Sequence, residues 1–484
     1  MSIEFKIDLN ACGREFPHYW EYCVGSCHAA TLLREDVRNH IRQAHKDCGF
    51  THVRCHGLFD DDMSVYFESE KDTITISFYN IDCIYDFLLE IGMKPFVEIG
   101  FMPNLLASGT QTCFHYKGNV TPPADYEKWD DLIRKFAEHL IERYGKKEVE
   151  QWPFEVWNEP NLNFFFDGTQ EQYFELYEHT ARALKSVDHK LKTGGPATSA
   201  NSWIPQFLTY CKENDVPIDF VSTHHYPSDD PLSTLGMNGP GIKGGEIDEA
   251  FFLKENKNPR DILLRMTEKA KKEAGSLPLY YTEWNGSKEY DSSYQAAFVM
   301  QAISYNEGLV EGYSFWTVSD IFEESGMLPG PFKNAFGMQT NHGIPKPSYR
   351  AFQILHEAGK ERIDVQSNND ADKNVEAFAL KKDDEVMVIV YNHDLERRTV
   401  KPESVKVSLE GKILSVQKAV IDEEHCNPLK AWIDLGKPPY LNKEQENEIR
   451  EASELIYEDV QMPDNSIEFT ALEESITVLK IKTM

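Results

Sequence analysis

Between residues 15 and 345 the sequence alternates short β-rich runs with longer amphipathic segments, and this alternation limits the fold more than any other feature. Eight runs are predicted to be strands: 22–26, 51–56, 94–100, 154–160, 192–197, 220–226, 279–285 and 312–320. Strands that alternate with helices build parallel sheets. Eight strand–helix units in a row predict an α/β fold in which the sheet closes into a (β/α)8 TIM barrel.

The segments between the runs have the residue spacing of surface helices. In residues 129–145, Leu132, Phe136 and Leu140 recur every four residues, and Gly145 stands where the helix would end. Residues 259–275 open with a proline and close with a glycine, an asymmetry that is typical of helix ends. Both segments are therefore predicted to be helices that cover the barrel.

An open, doubly wound sheet is the competing α/β fold. It usually follows its first strand with a glycine-rich phosphate loop, and no GxGxxG or GxxxxGK[ST] motif follows any predicted strand. Polar and aromatic residues at the strand ends favour the barrel, because the carboxyl ends of all its strands meet at one face. These residues are His56, Glu98, Asn158, Glu159, His224, His225, Tyr226, Glu283, Trp284, Asn285, Trp316 and Asp320.

After about residue 355 the pattern changes to an alternation with a period of two, as at Val405, Val407 and Leu409. Residues 356–484 are predicted to form an antiparallel β-sandwich with one inserted helix, within 441–455. The run IEFKIDL near the N-terminus alternates in the same way and precedes the first barrel strand. We therefore expect a catalytic barrel at 14–355 and a smaller sandwich built from both termini, 1–13 plus 356–484.

The net charge indicates what kind of partner the chain binds. It has 50 Lys and Arg against 80 Asp and Glu, a formal net charge of −30. Because such a surface repels phosphate backbones and gives no reason to expect an anionic ligand, we expect a neutral substrate, or a cation, and no nucleic acid. No apolar run reaches the roughly 18 residues of a membrane span, and the N-terminus lacks a signal-peptide pattern. The expectation is a cytoplasmic protein that binds no membrane, with a homo-oligomer left open.

Metal-binding patterns are weak. Seven of the nine cysteines lie in the first 113 residues, without paired CxxC spacing. Cys23, Cys27 and His28 could be metal ligands, but reduced, buried thiols are favoured. Three consecutive acidic residues at 60–62 could suggest calcium, but no EF-hand spacing follows, so a solvated loop is predicted. We expect no metal and no cofactor.

Two carboxylates stand out by their position. Glu159 and Glu283 end the fourth and seventh predicted strands, and neither string supplies an adjacent Arg or Lys that would pair with them. Burying an unpaired carboxylate is costly, so a purely structural role is disfavoured. In a ring of eight, strands four and seven end on opposite sides of the barrel mouth. Two facing carboxylates without a metal motif are typical of glycosidic bond hydrolysis, in which one protonates the leaving oxygen and the other attacks the anomeric carbon or activates water.

A family resemblance rests on these residues and on the strings around them. Asn-Glu-Pro at the end of strand four, with Glu at the end of strand seven, resembles clan A of the glycoside hydrolases. Nine strings, covering about residues 5–480, resemble bacterial β-xylosidases of glycoside hydrolase family 39. They are RCHGLFDDD, VEIGFMPNLLASGTQT, GNVTPPADYEKW, WPFEVWNEPNL, VPIDFVSTHHYPS, YYTEWN, FWTVSDIFEE, GIPKPSYRAF and IDEEHCNP. The resemblance implies a retaining exo-β-xylosidase that shortens xylo-oligosaccharides from the non-reducing end by double displacement.

The resemblance also implies individual roles. Glu159 corresponds to the family's acid/base and Glu283 to its nucleophile. Asn158 resembles the residue that binds the sugar 2-hydroxyl, and Tyr226 the one that orients the nucleophile. Further implied contacts are His56 to sugar hydroxyls, His224 near the nucleophile, Trp316 and Phe114 as apolar walls, and Glu323 and Glu324 to distal hydroxyls. His225 stands where the family usually has a small residue, and it is predicted to be structural.

Other functions remain open at this point. The loop 227–260 departs from the xylosidase pattern, and loops set specificity, so the substrate could be a glucoside, an arabinoside or a uronide. A uronide would need a cationic clamp, and none of the implied site residues is Lys or Arg. A non-catalytic carbohydrate-binding barrel would usually have lost one of the two carboxylates. A metal-dependent hydrolase would have only His56, His224 and His225 as candidate ligands.

Overall fold

Eight parallel strands form a closed barrel in which each strand pairs with the next along the chain and the eighth pairs with the first. The computed structural model describes residues 2–229, 242–243, 246–247, 258–286, 288–369, 374–395 and 399–483. The barrel strands, first to eighth, are Val24–His28, His52–His56, Lys94–Ile99, Pro153–Val156, Lys192–Thr198, Phe220–His225, Leu279–Trp284 and Gly312–Phe315. The predicted (β/α)8 barrel is confirmed.

A helix follows each barrel strand. In order, these helices are Glu35–Cys48, Tyr79–Glu90, Tyr126–Tyr144, Gln170–Val187, Ile204–Glu213, Ile262–Ala274, Ser293–Tyr305 and Pro347–Glu357. The helix predicted from residue 129 begins three residues earlier, because the Asp125 carboxylate caps it by accepting from the backbone N–H groups of Glu127 and Lys128. It ends before Gly145 and buries its apolar stripe against the barrel, as predicted.

The fourth barrel strand is shorter than predicted. The predicted run reached Pro160, whereas the strand ends at Val156. Trp157 and Glu159 adopt positive φ angles of 73° and 42°, so the chain leaves the strand direction at these residues. Glu159 therefore lies on a tight turn beyond the strand end, where its side chain is aimed over the mouth of the barrel.

The smaller unit consists of two sheets that pack face to face around their own apolar core. One sheet contains Val365–Ser367, Ile3–Asp8, Glu403–Glu410 and Ser466–Ala471. The other contains Arg14–Glu15, Glu361–Ile363, Val375–Lys382, Glu385–Asn392, Ser475–Thr483, Ile413–Ile421 and Glu458–Asp459. Strands from both ends of the chain thus build the predicted β-sandwich, and residues 14 and 15, which the sequence analysis placed in the barrel, lie in its second sheet.

One strand pair departs from the antiparallel pattern. Ile3–Asp8 runs parallel to Glu403–Glu410, with Phe5 opposite Val407. Parallel neighbours need a long crossover, and here the whole barrel lies between the two strands in the sequence. The period-two alternation is the same in parallel and antiparallel strands that face water on one side, so the sequence could not distinguish them.

The sandwich insertion contains two helices, where one was predicted. Lys443–Ala452 matches the predicted helix, and Pro428–Asp434 is additional. Asn427 caps the additional helix by accepting from the Lys430 N–H, and Pro428 occupies its first turn. This Asn-Pro pair was the available sequence signal.

Three remaining expectations concern the loop, the cysteines and the membrane. Most of the loop 227–260 lies outside the described residues, apart from its ends and a short pair of antiparallel strands at 242–243 and 246–247. The nine cysteines are free thiols, and seven of them are buried, as predicted. In the described part of the chain, no helix is long and apolar enough to cross a bilayer.

Candidate active site

Glu159 and Glu283 face each other at the carboxyl-terminal end of the barrel. The two residues are 6% and 7% exposed, and an oxygen of each lies within 4.8 Å of an oxygen of the other. In glycosidases, a carboxyl separation of about 5–5.5 Å allows one group to attack the sugar directly, whereas about 6.5–9.5 Å leaves room for a water molecule. Two oxygens within 4.8 Å of each other are closer than the separation that leaves room for a water molecule, so the spacing favours direct attack.

A buried arginine lies beneath this pair. Arg54, in the second barrel strand, is fully buried, and its Nε lies 2.6 Å from the Glu155 Oε2. Its Nη2 lies 2.9 Å from both the Glu98 Oε2 and the Asn158 Oδ1, and its Nη1 lies 3.6 Å from the Glu283 Oε2. The guanidinium thus lies within 4 Å of three buried acidic side chains and holds Asn158 in place beside Glu159.

Tyr226 holds one oxygen of Glu283. The Tyr226 hydroxyl donates to the Glu283 Oε1 at 2.5 Å. Burial, followed by the charge of Glu283, raises the pKa of Tyr226 well above its ordinary value, so this phenol remains a donor. The other carboxylate oxygen, Oε2, lies 4.0 Å from His56 Nε2 and 3.7 Å from His224 Nδ1.

His224 connects Glu159 to Glu155 through a chain of hydrogen bonds. Its Nδ1 lies 3.0 Å from the Glu159 Oε1, and its Nε2 lies 3.2 Å from the Thr282 Oγ1. The Thr282 hydroxyl donates to the Glu155 Oε1 at 2.7 Å. Burial lowers the pKa of His224 to about 4, so the ring is neutral at pH 7.

This chain sets the proton positions. Thr282 has a single hydroxyl proton, and the shorter bond to the Glu155 carboxylate takes it, so the Thr282 oxygen accepts from His224 Nε2–H. A neutral imidazole has one N–H, which leaves Nδ1 with a lone pair directed at Glu159. The contact is a hydrogen bond only when Glu159 carries a proton, so the arrangement stabilises the protonated form of Glu159.

The pKa values of the two carboxyl groups agree with this. Burial raises the pKa of Glu159 to about 7. Burial also raises the pKa of Glu283, against opposing electrostatic contributions from His224, His56 and Arg54, in that order. Two facing carboxylates are expected to raise each other's pKa, but for Glu159 burial is the largest cause, and the carboxylate charge that adds to it is that of Glu98.

The other implied sugar contacts surround the pair. His56 is buried and held by Glu98, whose Oε2 lies 2.8 Å from the His56 Nδ1. Trp316 packs beside His56, with ring centroids 4.7 Å apart. The ring centroid of Phe114 lies 6.2 Å from that of His56. Phe114 also contacts Phe164 and Phe165 edge to face, which extends the aromatic wall on this side.

Glu323 and Glu324 differ in their surroundings. Burial, followed by the charges of Glu283 and Glu159, raises the pKa of Glu324 to about 8. Glu324 is therefore within electrostatic range of the carboxylate pair. Glu323 is half-buried and accepts from the Nδ1 of His28 at 3.2 Å.

Two further expectations concern His225 and the acidic run at 60–62. His225 is buried, stacks on Tyr281 and contacts the Tyr313 hydroxyl through its Nε2 at 2.7 Å, which agrees with the predicted structural role. The prediction of a solvated loop at 60–62 is wrong for Asp60, which is 4% exposed. Asp61 and Asp62 are exposed, as expected.

Sequence reasoning missed Arg54, Glu155 and Thr282. Arg54 supplies the positive charge that the strings around Glu159 and Glu283 lack, and it comes from the second strand. The signal was its position: Arg54 and Glu155 interrupt otherwise apolar strand interiors, where charges are retained only when paired. The chain thus positions two carboxyl groups that face each other, and their hydrogen-bond partners favour the protonated form of Glu159 and the ionised form of Glu283.

Comparison with known proteins gives consistent matches. The sequence model of the family described as glycosyl hydrolases family 39 matches residues 3–465. A β-xylosidase of Caldicellulosiruptor saccharolyticus is 46% identical over 99% of this chain and 98% of its own length. One from Geobacillus stearothermophilus is 35% identical over 90% and 87%. Solved structures of a family 39 β-xylosidase from Caulobacter crescentus, one described as monomeric, share 29% identity and a TM-score of 0.82, with 99% of each chain covered.

Proposed function

Because the chain belongs to glycosyl hydrolase family 39, we propose that it is a retaining β-xylosidase that removes xylose from the non-reducing end of short β-1,4-xylo-oligosaccharides. The activity is hydrolysis of an O-glycosidic bond by double displacement. The observation that carries the mechanism is the separation of less than 4.8 Å between oxygens of Glu159 and Glu283.

The proposed reaction has two steps. In the first, Glu159 gives its proton to the glycosidic oxygen while an oxygen of Glu283 attacks the anomeric carbon from the opposite side. The aglycone leaves, and the xylosyl group stays as an ester on Glu283. In the second, the ionised Glu159 takes a proton from water, which attacks the same carbon and releases xylose with its original configuration.

The network beneath the pair supports these roles. Tyr226 holds the Glu283 Oε1, and Arg54 provides positive charge near the Oε2, so the nucleophile is ionised and fixed in direction. Asn158, held by Arg54, is positioned to bind the sugar 2-hydroxyl. His56 offers its Nε2 to a second hydroxyl while Glu98 holds its other nitrogen.

The charge of the site favours a neutral sugar. Glu159 and Glu283 face each other, Glu324 is within electrostatic range of both, and Arg54 is already engaged by Glu98 and Glu155. Within the described residues, the site therefore provides no free cation to bind a uronate. A substrate carboxylate placed here would face the ionised Glu283 without a compensating cation, and such a like-charge contact costs several kcal/mol.

A panel of p-nitrophenyl glycosides tests the substrate. We expect kcat/KM for the β-D-xyloside to exceed that for the α-L-arabinoside and the β-D-glucoside, and to exceed that for the β-D-glucuronide by at least about 100-fold, because of like-charge repulsion. Initial rates at fixed pH measure this order, and product analysis on xylotriose checks for single xylose release. A faster glucuronide or glucoside would contradict the proposed substrate.

Replacing Thr282 by valine tests the assigned proton positions. The variant removes the acceptor of His224 Nε2–H, so the ring can instead carry its proton on Nδ1 and donate to ionised Glu159. The ionised form gains a hydrogen bond of about 1 kcal/mol or more, and the basic limb of the kcat/KM profile should move toward acid by about one pH unit. The measurement is the pH–rate profile with p-nitrophenyl xyloside.

Thr267→Val is the matched control, because the buried Thr267 hydroxyl donates to a helix carbonyl, that of Leu263, outside the site. Its profile should coincide with that of the wild type. An unchanged basic limb in Thr282→Val would contradict the assigned tautomer of His224.

The assembly state remains a prediction. A homo-oligomer was left open from the sequence, and the Caulobacter crescentus relative is described as monomeric. Size-exclusion chromatography with light scattering distinguishes a 55.7 kDa monomer from a multiple of this mass.

A further inference from the structure

A second cluster of ionisable residues lies beside the active site. His28 ends the first barrel strand, and Asp60 and Asp62 lie in the loop after the second. The His28 Nε2 is 3.1 Å from the Asp62 Oδ2 and 3.8 Å from the Asp60 Oδ2. One potential ligand atom from each residue lies within 4.8 Å of the others. We refer to these three residues as the His28 cluster.

Asp60 has no partner that explains its burial. It is 4% exposed, and neither carboxylate oxygen accepts a hydrogen bond from any residue that the structure describes. It precedes the short helical turn Asp61–Met63 without capping it. A carboxylate in this position has lost its water without gaining donors, which is unfavourable unless it takes up a proton or a cation binds to it.

The orientation of His28 matches that of a metal ligand. Its Nδ1 lies 3.2 Å from the Glu323 Oε2, and its ring stacks on Tyr116 with centroids 3.7 Å apart. Metal-bound histidines usually donate one N–H to a carboxylate, which fixes the ring and leaves the other nitrogen for the metal. Here the other nitrogen, Nε2, faces Asp60 and Asp62.

Charge balance also favours a cation. Asp60, Asp62 and Glu323 surround one imidazole, so even a protonated ring leaves the group with excess negative charge. Two ligand atoms bound to the same Zn²⁺-sized ion lie roughly 3–3.5 Å apart, because each metal–ligand distance is about 2.0–2.2 Å. The 3.1 Å and 3.8 Å separations need only a small adjustment to meet this.

We propose that His28, Asp60 and Asp62 bind a divalent first-row transition-metal cation of the Zn²⁺ or Mn²⁺ type. One imidazole nitrogen and two carboxylate oxygens suit such ions, whereas Ca²⁺ prefers an all-oxygen shell. The Asp62 side chain is 45% exposed, so an ion can reach the site from solvent on that side. The cation takes no part in the proposed hydrolysis, and its role is to fix His28 and, through it, Glu323.

The test measures metal binding directly. The protein is treated with a chelator, desalted and titrated with Zn²⁺, Mn²⁺ or Ca²⁺ by calorimetry, and the metal content after dialysis is measured by mass spectrometry. We expect one equivalent of Zn²⁺ or Mn²⁺ to be retained, weaker binding of Ca²⁺, and a higher unfolding temperature with the bound ion.

Variants locate the site. Asp60→Asn should lose the bound equivalent of Zn²⁺ or Mn²⁺. Asp62→Asn changes an exposed residue, and it should raise the Kd for the metal at least tenfold. Glu323→Gln should raise it about 10–100-fold, since it weakens the hydrogen bond that orients His28. The matched control is Asp61→Asn, because Asp61 lies between the two ligands in sequence but accepts from Asn104 instead.

A second control excludes the active site, where Glu159, His224 and Glu283 also lie within metal-binding distance of one another. Glu283→Gln should keep the equivalent. The proposal is overturned when the wild type retains no Zn²⁺ or Mn²⁺, when Asp60→Asn and Asp62→Asn bind as tightly as Asp61→Asn, or when Glu283→Gln alone abolishes binding.

Discussion

Replacing Glu283 by alanine is expected to lower kcat on p-nitrophenyl xyloside by about four orders of magnitude or more, because no other group can form the glycosyl ester. The remaining residues stay in place. Tyr226 loses its acceptor but keeps its position on the sixth barrel strand end, and Arg54 retains its contacts to Glu98 and Glu155. Circular dichroism should therefore show a folded protein.

Azide distinguishes a lost nucleophile from a damaged site. Alanine leaves a space below the anomeric carbon, and azide in that space attacks the sugar once, from the side on which Glu283 stood. The product should be α-xylosyl azide, with configuration inverted from that of the β-xyloside, and nuclear magnetic resonance of the product identifies the anomer. Arg54, 3.6 Å from the missing carboxylate oxygen, favours binding of the anion.

Glu283→Gln is the matched control. The amide fills the space, so it should be as inactive as the alanine variant but should gain little from azide. If azide gives β-xylosyl azide with Glu283→Ala, the roles of Glu159 and Glu283 are exchanged. If azide gives neither anomer while the protein is folded, Glu283 is not the nucleophile.

The sequence predicted the two carboxylates because their strands carry strong signals. Each follows a buried β-rich run, and the geometry of an eight-stranded ring places the ends of strands four and seven across from each other. The separation of the carboxyl groups was not predictable in this way. It depends on the positive φ angles at Trp157 and Glu159, which turn the chain back over the barrel mouth.

The groups that support the carboxylates were harder to predict. Arg54 pairs with residues of the third and fourth strands, 44 and 101 positions away in the sequence, so no local string shows the pairing. Thr282 is an ordinary strand residue by composition, and only the distances to His224 and Glu155 show its part in the hydrogen-bond chain. Such contacts follow from barrel closure and register, which single strands do not encode.

Asp60 is buried, although the sequence predicts that it is exposed. A run of three acidic residues suggests a solvated loop. Asp61 begins a short helical turn and contacts Asn104 on the outside, whereas Asp60 precedes this turn and is buried against Gly57 and Gly118. The burial of one member out of three is a tertiary effect of the packing of neighbouring loops.

Removing Glu159 should produce a different kinetic defect from removing Glu283. With Glu159→Ala, a dinitrophenyl xyloside needs no proton on its leaving group, so the first step should still be fast and release a burst of dinitrophenol. The second step needs a base to activate water, and it should slow by about 10²–10⁴-fold. A rapid-mixing experiment should therefore show a burst equal to the enzyme concentration, followed by a slow steady state.

The pH dependence of the activity should also change in the Glu159→Ala variant. In the wild type, Glu159 must be protonated for the first step, and burial raises its pKa to about 7. Activity should therefore fall as the pH rises through about 7, and the acidic limb should lie above the ordinary value for a glutamate because burial also raises the pKa of Glu283. The limbs belong to the coupled pair, but only the basic one needs Glu159. The alanine variant should lose the basic limb and keep the acidic one.

Azide tests the second step of the Glu159→Ala variant, because azide needs no base to attack the glycosyl ester. Added to Glu159→Ala, it should restore the steady-state rate on the dinitrophenyl xyloside and give β-xylosyl azide, the anomer opposite to the one expected from Glu283→Ala. Glu324→Gln serves as the comparison, since Glu324 also has a raised pKa but should affect KM and leave the basic limb in place. A Glu159→Ala variant that shows no burst and no azide acceleration, or that retains the wild-type basic limb, would mean that another group is the acid/base. The hydrogen bond from Glu159 to His224 would then have only a structural role.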